Sequence, residues 1–472
     1  MSAKRVLVVD DSPFMRKIIS DLIAQDVSFK VAGTASNGQE AIEQVRLLAP
    51  DAITLDVEMP TMNGIEALQK IREEHSTPVI MLSSLTEVGR QETISALENG
   101  AFDFVCKPSP HGGNQDIHQV GQMLHEKLHA AIQSEERRQR LNQLEAERAE
   151  RQALAAQQMA AAVENEQIHN AKEELEKHRI EKRTDKPSFS PLSKKQTEPR
   201  SLPKKKSLGK AAQKANIELH RPETPSRSSP QADGVEKKRA SAPSLQSKRP
   251  QQSPLESTPN GNRAEHPPHT VSTGMKATAL HDLVAVGTST GGPRALKTLL
   301  SDLPGDLEAP VVIVQHMPPN FTRSLAQRLN TYSKLEVKEA EDGDVLKKGC
   351  AYLAPGGQHM RVVKDHKGQY QIALNRDEPC SGHRPSVDRL FESLLPLKQL
   401  KLHLVLLTGM GSDGAKMMKT LYDQGVHSTF IESEETCVVY GMPRAAMELG
   451  CVTHAIPIHE MAGQVVQAIH NG

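Results

Sequence analysis

Tryptophan is missing from this 472-residue chain, and aromatic residues make up only 3% of it. A chain folded along its whole length would bury more rings than that, so part of it is expected to lie outside any core. A hydrophobic content of 37% points the same way. Cysteine is scarce too. Cys106, Cys350, Cys380, Cys437 and Cys451 lie far apart and form no C-x-x-C pair, which argues for buried, reduced thiols in a cytosolic protein. No apolar run approaches the ~20 residues needed to cross a membrane. Lys4-Arg5 leads straight into a strand, not into a signal-peptide core. A soluble, cytoplasmic protein without membrane insertion is expected. Neither sign of charge is in excess, with 58 basic and 58 acidic residues, but the balance hides a basic middle.

The fold class expected is α/β: two doubly wound parallel-sheet domains, at 1–125 and 280–472, joined by a long linker. In the first, short apolar runs at Arg5–Val9, Val31–Thr34, Ala52–Leu55, Val79–Leu82 and Phe104–Cys106 read as strands. Helical patterns at Pro13–Ala24, Gly38–Leu48, Gly64–Glu73 and Arg90–Glu98 alternate with them. Ile117, Val120, Leu124, Leu128 and Ile132 recur at helical spacing and make a fifth helix. In the second domain, strands are expected at Leu283–Val286, Val311–Gln315, Cys350–Ala354, Leu402–Leu407 and Ser428–Ile431. Its helices are expected at Pro293–Leu300, Asn320–Thr331, Ser386–Leu395, Gly414–Asp423 and Met442–Leu449.

The linker, 126–279, divides in two. To about residue 183 it is rich in Glu, Arg, Gln and Ala, a solvated helix whose leucines are too irregular for a heptad seam. Beyond that it turns to Pro, Ser, Lys and Arg, with basic residues outnumbering acidic ones by about ten, and is expected to be disordered. Phe189 is its sole aromatic residue, so it lacks a stacking platform and no specific nucleic-acid partner is expected.

Two sets of residues carry chemistry. Asp10 and Asp11 end the first strand and Asp56 the third, so a doubly wound sheet brings three carboxylates to one edge. Such a cluster suits Mg²⁺. Ser83 ends the fourth strand and Lys107 follows the fifth, a hydroxyl and an ammonium aimed at the same edge and fit to bind phosphoryl oxygens.

Residues 1–125 resemble a response-regulator receiver domain. The resemblance implies that Asp56 is the phosphoacceptor, with Mg²⁺ held by Asp10, Asp11, Asp56 and the backbone carbonyl of Glu58. It implies that Ser83 and Lys107 contact the phosphoryl group, that Phe104 reorients on activation, that the Lys107–Pro108 bond is cis, and that a histidine kinase is the donor.

In the second domain, Gly287-Thr288-Ser289-Thr290-Gly291 fits the G-x-S-x-G turn that exposes a nucleophilic serine between strand and helix. A serine needs a base and an orienting acid. His316, directly after Val311–Gln315, and Asp413, in the loop after Leu402–Leu407, lie at strand ends on the same edge. His359, His383 and His454 compete as the base. Asp344 and Asp388 compete as the acid, and Asp413 could equally cap the next helix. The competing class is a non-catalytic output whose Gly287–Gly292 turn holds a phosphate or nucleotide, but no P-loop lysine follows it.

Six segments resemble the signatures of the CheB-type chemotaxis methylesterase family: Gly287–Gly292, Gln315–Pro318, Ala354–His359, His383–Asp388, Leu407–Ala415 and Tyr440–Arg444. The resemblance implies a Ser289, His316 and Asp413 triad, with Thr290 and Met410 beside it and the Met410 N–H as oxyanion donor. It implies hydrolysis, without a cofactor for the esterase step, of glutamate γ-methyl esters on methylated chemoreceptors, with deamidation of receptor glutamines. It also implies that an unphosphorylated receiver covers the esterase cleft. A linker of well over a hundred residues is much longer than the short one that the resemblance implies. Because effective concentration falls with tether length, autoinhibition weaker than usual is expected.

Overall fold

A computed structural model describes residues 3–108, 113–184 and 280–471. The basic segment expected to be disordered lies outside the described residues.

The first sheet is built from β1 (Lys4–Val9), β2 (Phe29–Ala35), β3 (Ala52–Asp56), β4 (Val79–Ser83) and β5 (Asp103–Cys106), all parallel in the order β2-β1-β3-β4-β5. Its central strands β3 and β4 are buried along their whole length, and mostly apolar, because helices cover both faces. The helices are α1 (Pro13–Ala24), α2 (Gly38–Leu48), α3 (Gly64–Glu74) and α4 (Glu87–Glu98). Each starts on a side-chain cap, from Ser12, Asn37, Asn63 and Thr86 respectively, that accepts an otherwise orphaned N–H of the first turn.

A single helix, α5 (Gly113–Thr184), follows β5. Val120, Leu124, Leu128 and Ile132 bury one stripe on the sheet. Further along, the apolar side chains face water: Leu144, Leu154, Met159 and Leu175 are all exposed. The periodicity of the first part stops where the burial stops.

The second sheet comprises seven parallel strands. The chain runs β6 (Asp282–Thr288), α6 (Gly292–Asp302), β7 (Val311–Gln315), α7 (Phe321–Asn330), β8 (Glu336–Glu339) and β9 (Cys350–Leu353). A hairpin of β10 (His359–Lys364) and β11 (Tyr370–Asn375) interrupts it. Then come α8 (Val387–Leu394), β12 (Lys401–Leu406), α9 (Ala415–Asp423), β13 (Ser428–Glu432), α10 (Met442–Glu448), β14 (His454–Ile456) and α11 (Ile458–His470). The strand order β14-β13-β12-β6-β7-β9-β8 reverses between β6 and β12. That reversal opens a crevice at the strand C-termini, where open α/β sheets bind ligands.

The expected α/β class and its parallel sheets are found. β8, the hairpin, β14 and α11 went unrecognised in the sequence. The Lys107–Pro108 bond is trans, and Arg384–Pro385 is the cis bond among the described residues. The trans preference of an X–Pro bond is at most about 1 kcal/mol, so local sequence does not decide between the forms.

Candidate active site

Backbone register brings the first two residues of the site together. Thr288 pairs with Gln315 across β6 and β7, so Ser289 and His316 are the next residues on adjacent strands. The Ser289 backbone is held on three sides. Its N–H donates to the Thr408 carbonyl at 3.0 Å, and its carbonyl accepts from the Gly292 N–H at 2.8 Å and from Gln315 Nε2 at 2.9 Å. Glycine is required at the turn, because a Cβ on Gly292 would lie 1.9 Å from Gln315 Oε1.

Asp413 enters from the loop after β12. Its Oδ2 lies 2.8 Å from His316 Nε2. Being acceptor-only when ionised, it requires the proton on Nε2 and leaves Nδ1 of the neutral ring with a lone pair. Nδ1 is buried and has no hydrogen-bond partner. The Ser289 hydroxyl makes no hydrogen bond among the described residues, so the serine–imidazole contact is open in this state.

Asp413 is fixed by the start of α8. It accepts from Ser386 Oγ at 2.8 Å and from the N–H groups of Val387 and Asp388 at 2.7 and 3.1 Å. Burial opposes its charge, but the His316 contact and these N–H donors outweigh burial and hold the carboxyl below its usual range.

The rival residues have other partners. His383 stacks on His316, with ring centroids 3.8 Å apart and planes 9° from parallel. Burial first, and then the neighbouring His316, push its pKa down to about 4. His359 is buried against the Glu378 carbonyl, His454 stacks on Phe430, and Asp344 pairs with Lys338. Asp388 accepts the Met417 N–H. Met410 borders the site through its neighbour: a Cβ on Gly409 would lie 2.9 Å from Ser289 Cβ.

At the first sheet, carboxylate oxygens of Asp10, Asp11 and Asp56 lie within 4.8 Å of one another. Lys107 Nζ reaches Asp10 Oδ2 at 2.8 Å and Asp56 Oδ2 at 2.7 Å. Burial, opposed by Lys107, raises the Asp56 carboxyl to about 6. Hard oxygen donors crowded at a buried, incompletely neutralised edge fit a divalent cation such as Mg²⁺. Ser83 is turned away from this edge. Its hydroxyl donates to the Ser84 carbonyl at 3.0 Å and accepts from Thr93 Oγ1 of α4 at 2.6 Å. The side chain of Glu58 takes hydrogen bonds from Ser84 and Thr86.

The first domain reaches the second at the crevice. Asp103 of β5 accepts a hydrogen bond from the Thr290 hydroxyl and pairs with Lys127 of α5. Phe104 stacks on Phe321 at 4.7 Å. Glu98, at the end of α4, meets Arg328 at 3.1 Å, the Tyr332 hydroxyl at 3.2 Å and Lys297 at 3.7 Å. Arg137 of α5 donates to the Cys437 carbonyl at 2.7 Å. The long tether therefore does not prevent the first domain from seating over the crevice. Contacts this numerous offset a concentration penalty that grows only slowly with tether length.

Sequence reasoning missed Ser386, Asp103 and Thr408. Ser386 gave a signal, as a Ser at the head of an apolar helical pattern and inside the signature segment His383–Asp388. Asp103 gave none, since its partner is nearly two hundred residues away.

The CheB methylesterase family profile matches residues 284–465, and the response regulator receiver domain profile matches residues 6–118. A protein-glutamate methylesterase/protein-glutamine glutaminase of Geobacillus kaustophilus (strain HTA426) is 37% identical over 470 residues, 99% of each chain. The chain belongs to the CheB methylesterase family. The protein of the same description in Bacillus subtilis (strain 168) is 36% identical over 98% of each chain. The catalytic domain of the Thermotoga maritima CheB methylesterase, known from its crystal structure, is 38% identical, covering 40% of this chain and 98% of that one, with a TM-score of 0.39. Both relatives are matched nearly end to end, so a chain this long is shared with them.

Proposed function

We propose that this chain is a phosphorylation-gated hydrolase, cytoplasmic, that cleaves glutamate γ-methyl esters on chemoreceptors to glutamate and methanol and deamidates receptor glutamines. The observation that carries the catalytic reading is the buried His316–Asp413 pair at the strand end beside Ser289. Ser289 Oγ attacks the ester carbonyl while His316 Nδ1 takes its proton. Asp413, anchored on α8, holds the ring and stabilises the imidazolium. The Met410 N–H, on the peptide packed against Ser289, supports the oxyanion. His316 returns the proton to the leaving methanol, or to ammonia in the glutaminase reaction, and then activates the water that frees the acyl-enzyme.

In the receiver, spanning roughly 1–125, Asp56 accepts a phosphoryl group from a histidine kinase. Asp10, Asp11, Asp56 and the Glu58 carbonyl would hold Mg²⁺, which when bound neutralises the carboxylates and the phosphoryl oxygens. Lys107 contacts the phosphoryl group, and the Ser83 hydroxyl leaves Thr93 to do so. The move disturbs α4, whose Glu98 grips the esterase domain, and so loosens the cover over Ser289. The rival phosphate-binding turn is disfavoured because the glycines are packed against protein: a Cβ on Gly291 would lie 2.6 Å from Val438.

Methanol release from methylated receptor membranes tests the proposal. Ser289→Ala is expected to abolish it and Asp413→Asn to lower it by about 10⁴-fold, while Asp56→Ala keeps the basal rate and loses stimulation. Undiminished release by Ser289→Ala defeats the catalytic reading.

A further inference from the structure

Beside the proposed triad lies a cavity of about 400 Å³ that the reaction does not use. Its walls come from the segments that follow the two stacked histidines: Pro319 and Asn320 after His316, and Arg384 after His383. Gly356 and Gly357 form its floor, and Arg376 stands at its edge. It therefore adjoins the place where the ester must sit.

The cavity is rigid. A Cβ on Gly356 would come within 2.4 Å of the Pro318 carbonyl carbon, so the floor is pressed against the His316 segment. The Gly357 N–H donates to the Arg384 carbonyl at 3.0 Å. The Arg384 guanidinium is aimed by the Arg376 and Asp377 carbonyls, at 3.2 and 3.1 Å from Nη1. Pre-aimed donors recognise a ligand at little entropic cost.

Charge identifies the ligand. Carbonyls orient Arg384 without neutralising it, and its buried Nε has no partner. Neither Arg384 nor Arg376 forms an ion pair among the described residues. The nearby Asp377 carboxylate is committed to Arg361 at 3.2 Å. The lining carboxylate, Glu339, accepts a hydrogen bond from Thr322 at 2.7 Å and cannot balance two guanidinium groups. Two unpaired guanidinium groups in a concave, rigid setting match a carboxylate.

We propose that this cavity is a specificity subsite that binds the free carboxylate of a Glu or Asp side chain flanking the ester in the polypeptide substrate. The inference rests on the esterase reading above and extends it from the reacting group to the sequence around it. Arg376 supplies an exposed guanidinium that meets the substrate first. Arg384 supplies the anchored one.

The test uses the full chain and helix-forming peptides of Ala and Ser that carry one glutamate γ-methyl ester, with a single Glu scanned through the neighbouring helical turns. Wild type is expected to favour one Glu position over the peptide with Ser there on the order of tenfold in kcat/KM, mostly through KM. The preference should shrink with added salt. Arg376→Glu should remove it and install a preference for Lys at the same position, a reversal that a merely structural arginine would not produce. Equal rates for every peptide, or an unchanged preference in Arg376→Glu, overturns the subsite while leaving the esterase standing. If wild type cleaves none of the peptides yet releases methanol from methylated receptor membranes, the subsite falls alone; release from neither substrate sinks the esterase reading and the subsite with it.

Discussion

The Asp103 carboxylate of the receiver accepts a hydrogen bond from the hydroxyl of Thr290, the residue after Ser289. Asp103 is almost sealed from solvent and carries Lys127 as its counter-ion. A carboxylate from one domain thus sits one residue from the serine proposed to attack esters in the other. Replacing Asp103 by Ala removes the acceptor and leaves Lys127 without its partner. Methanol release by the unphosphorylated full chain is expected to rise roughly tenfold, the effect of losing a charge-assisted hydrogen bond. An unchanged rate would mean that the Phe104, Glu98 and Arg137 contacts seat the receiver without it.

Ser386 serves two ends at once. Its hydroxyl donates to Asp413 Oδ1 and caps α8 by accepting the Arg389 N–H at 3.4 Å. Ser386→Ala is expected to lower kcat by about tenfold with little change in KM, since Asp413 would lose an orienting donor. Stability should fall by about 1 kcal/mol through the lost cap. Stopped assays and urea titrations separate the two effects, and an unaltered kcat would show that the Val387 and Asp388 amides suffice.

Proton and metal should compete at Asp56. Burial raises this carboxyl to about 6, so the folded chain binds its proton more tightly than the unfolded chain does. That contribution to stability is full below the unfolded value near 4 and is lost as pH rises through 6. Above that range the ionised cluster is poised for a cation. Millimolar Mg²⁺ should therefore raise Tm clearly at pH 8 and little at pH 5, and should act weakly on Asp56→Asn. Equal stabilisation of the variant at pH 8 would place the cation elsewhere.

His383 has the opposite linkage. Its pKa of about 4 lies below the unfolded value near 6.5, so between these limits the unfolded chain takes up a proton that the folded chain refuses. Its share of stability is present above 6.5 and drains away as pH falls towards 4. His383→Gln should flatten the decline in the urea midpoint between pH 7 and pH 5. A variant that declines as steeply as wild type would assign the acid sensitivity to other groups.

What could be read from the residues alone follows from how local each signal is. Val311–Gln315 and Pro13–Ala24 carry their periodicity within a single element, and their bounds agree with the structure. β8 was missed because Glu-Val-Lys-Glu is an edge strand with one buried position. The receiver carboxylates and the meeting of Ser289, His316 and Asp413 could be anticipated because parallel sheets send every strand end to one edge. The orientation of the imidazole could not, because it depends on Ser386 and the start of α8. Ser83 shows the same limit: its position at the end of β4 was legible, but its bond to Thr93 depends on how α4 packs on the strand end.

Glu98 bears on how the cover comes off. Three side chains of the esterase, Arg328, Tyr332 and Lys297, converge on this one carboxylate, whose side chain is 3% exposed. Surrendering any one of them strands a dehydrated anion with fewer counterparts, so half-measures are disfavoured. Detachment at this corner should behave as a click, with the domains fully engaged or fully apart and few molecules caught between.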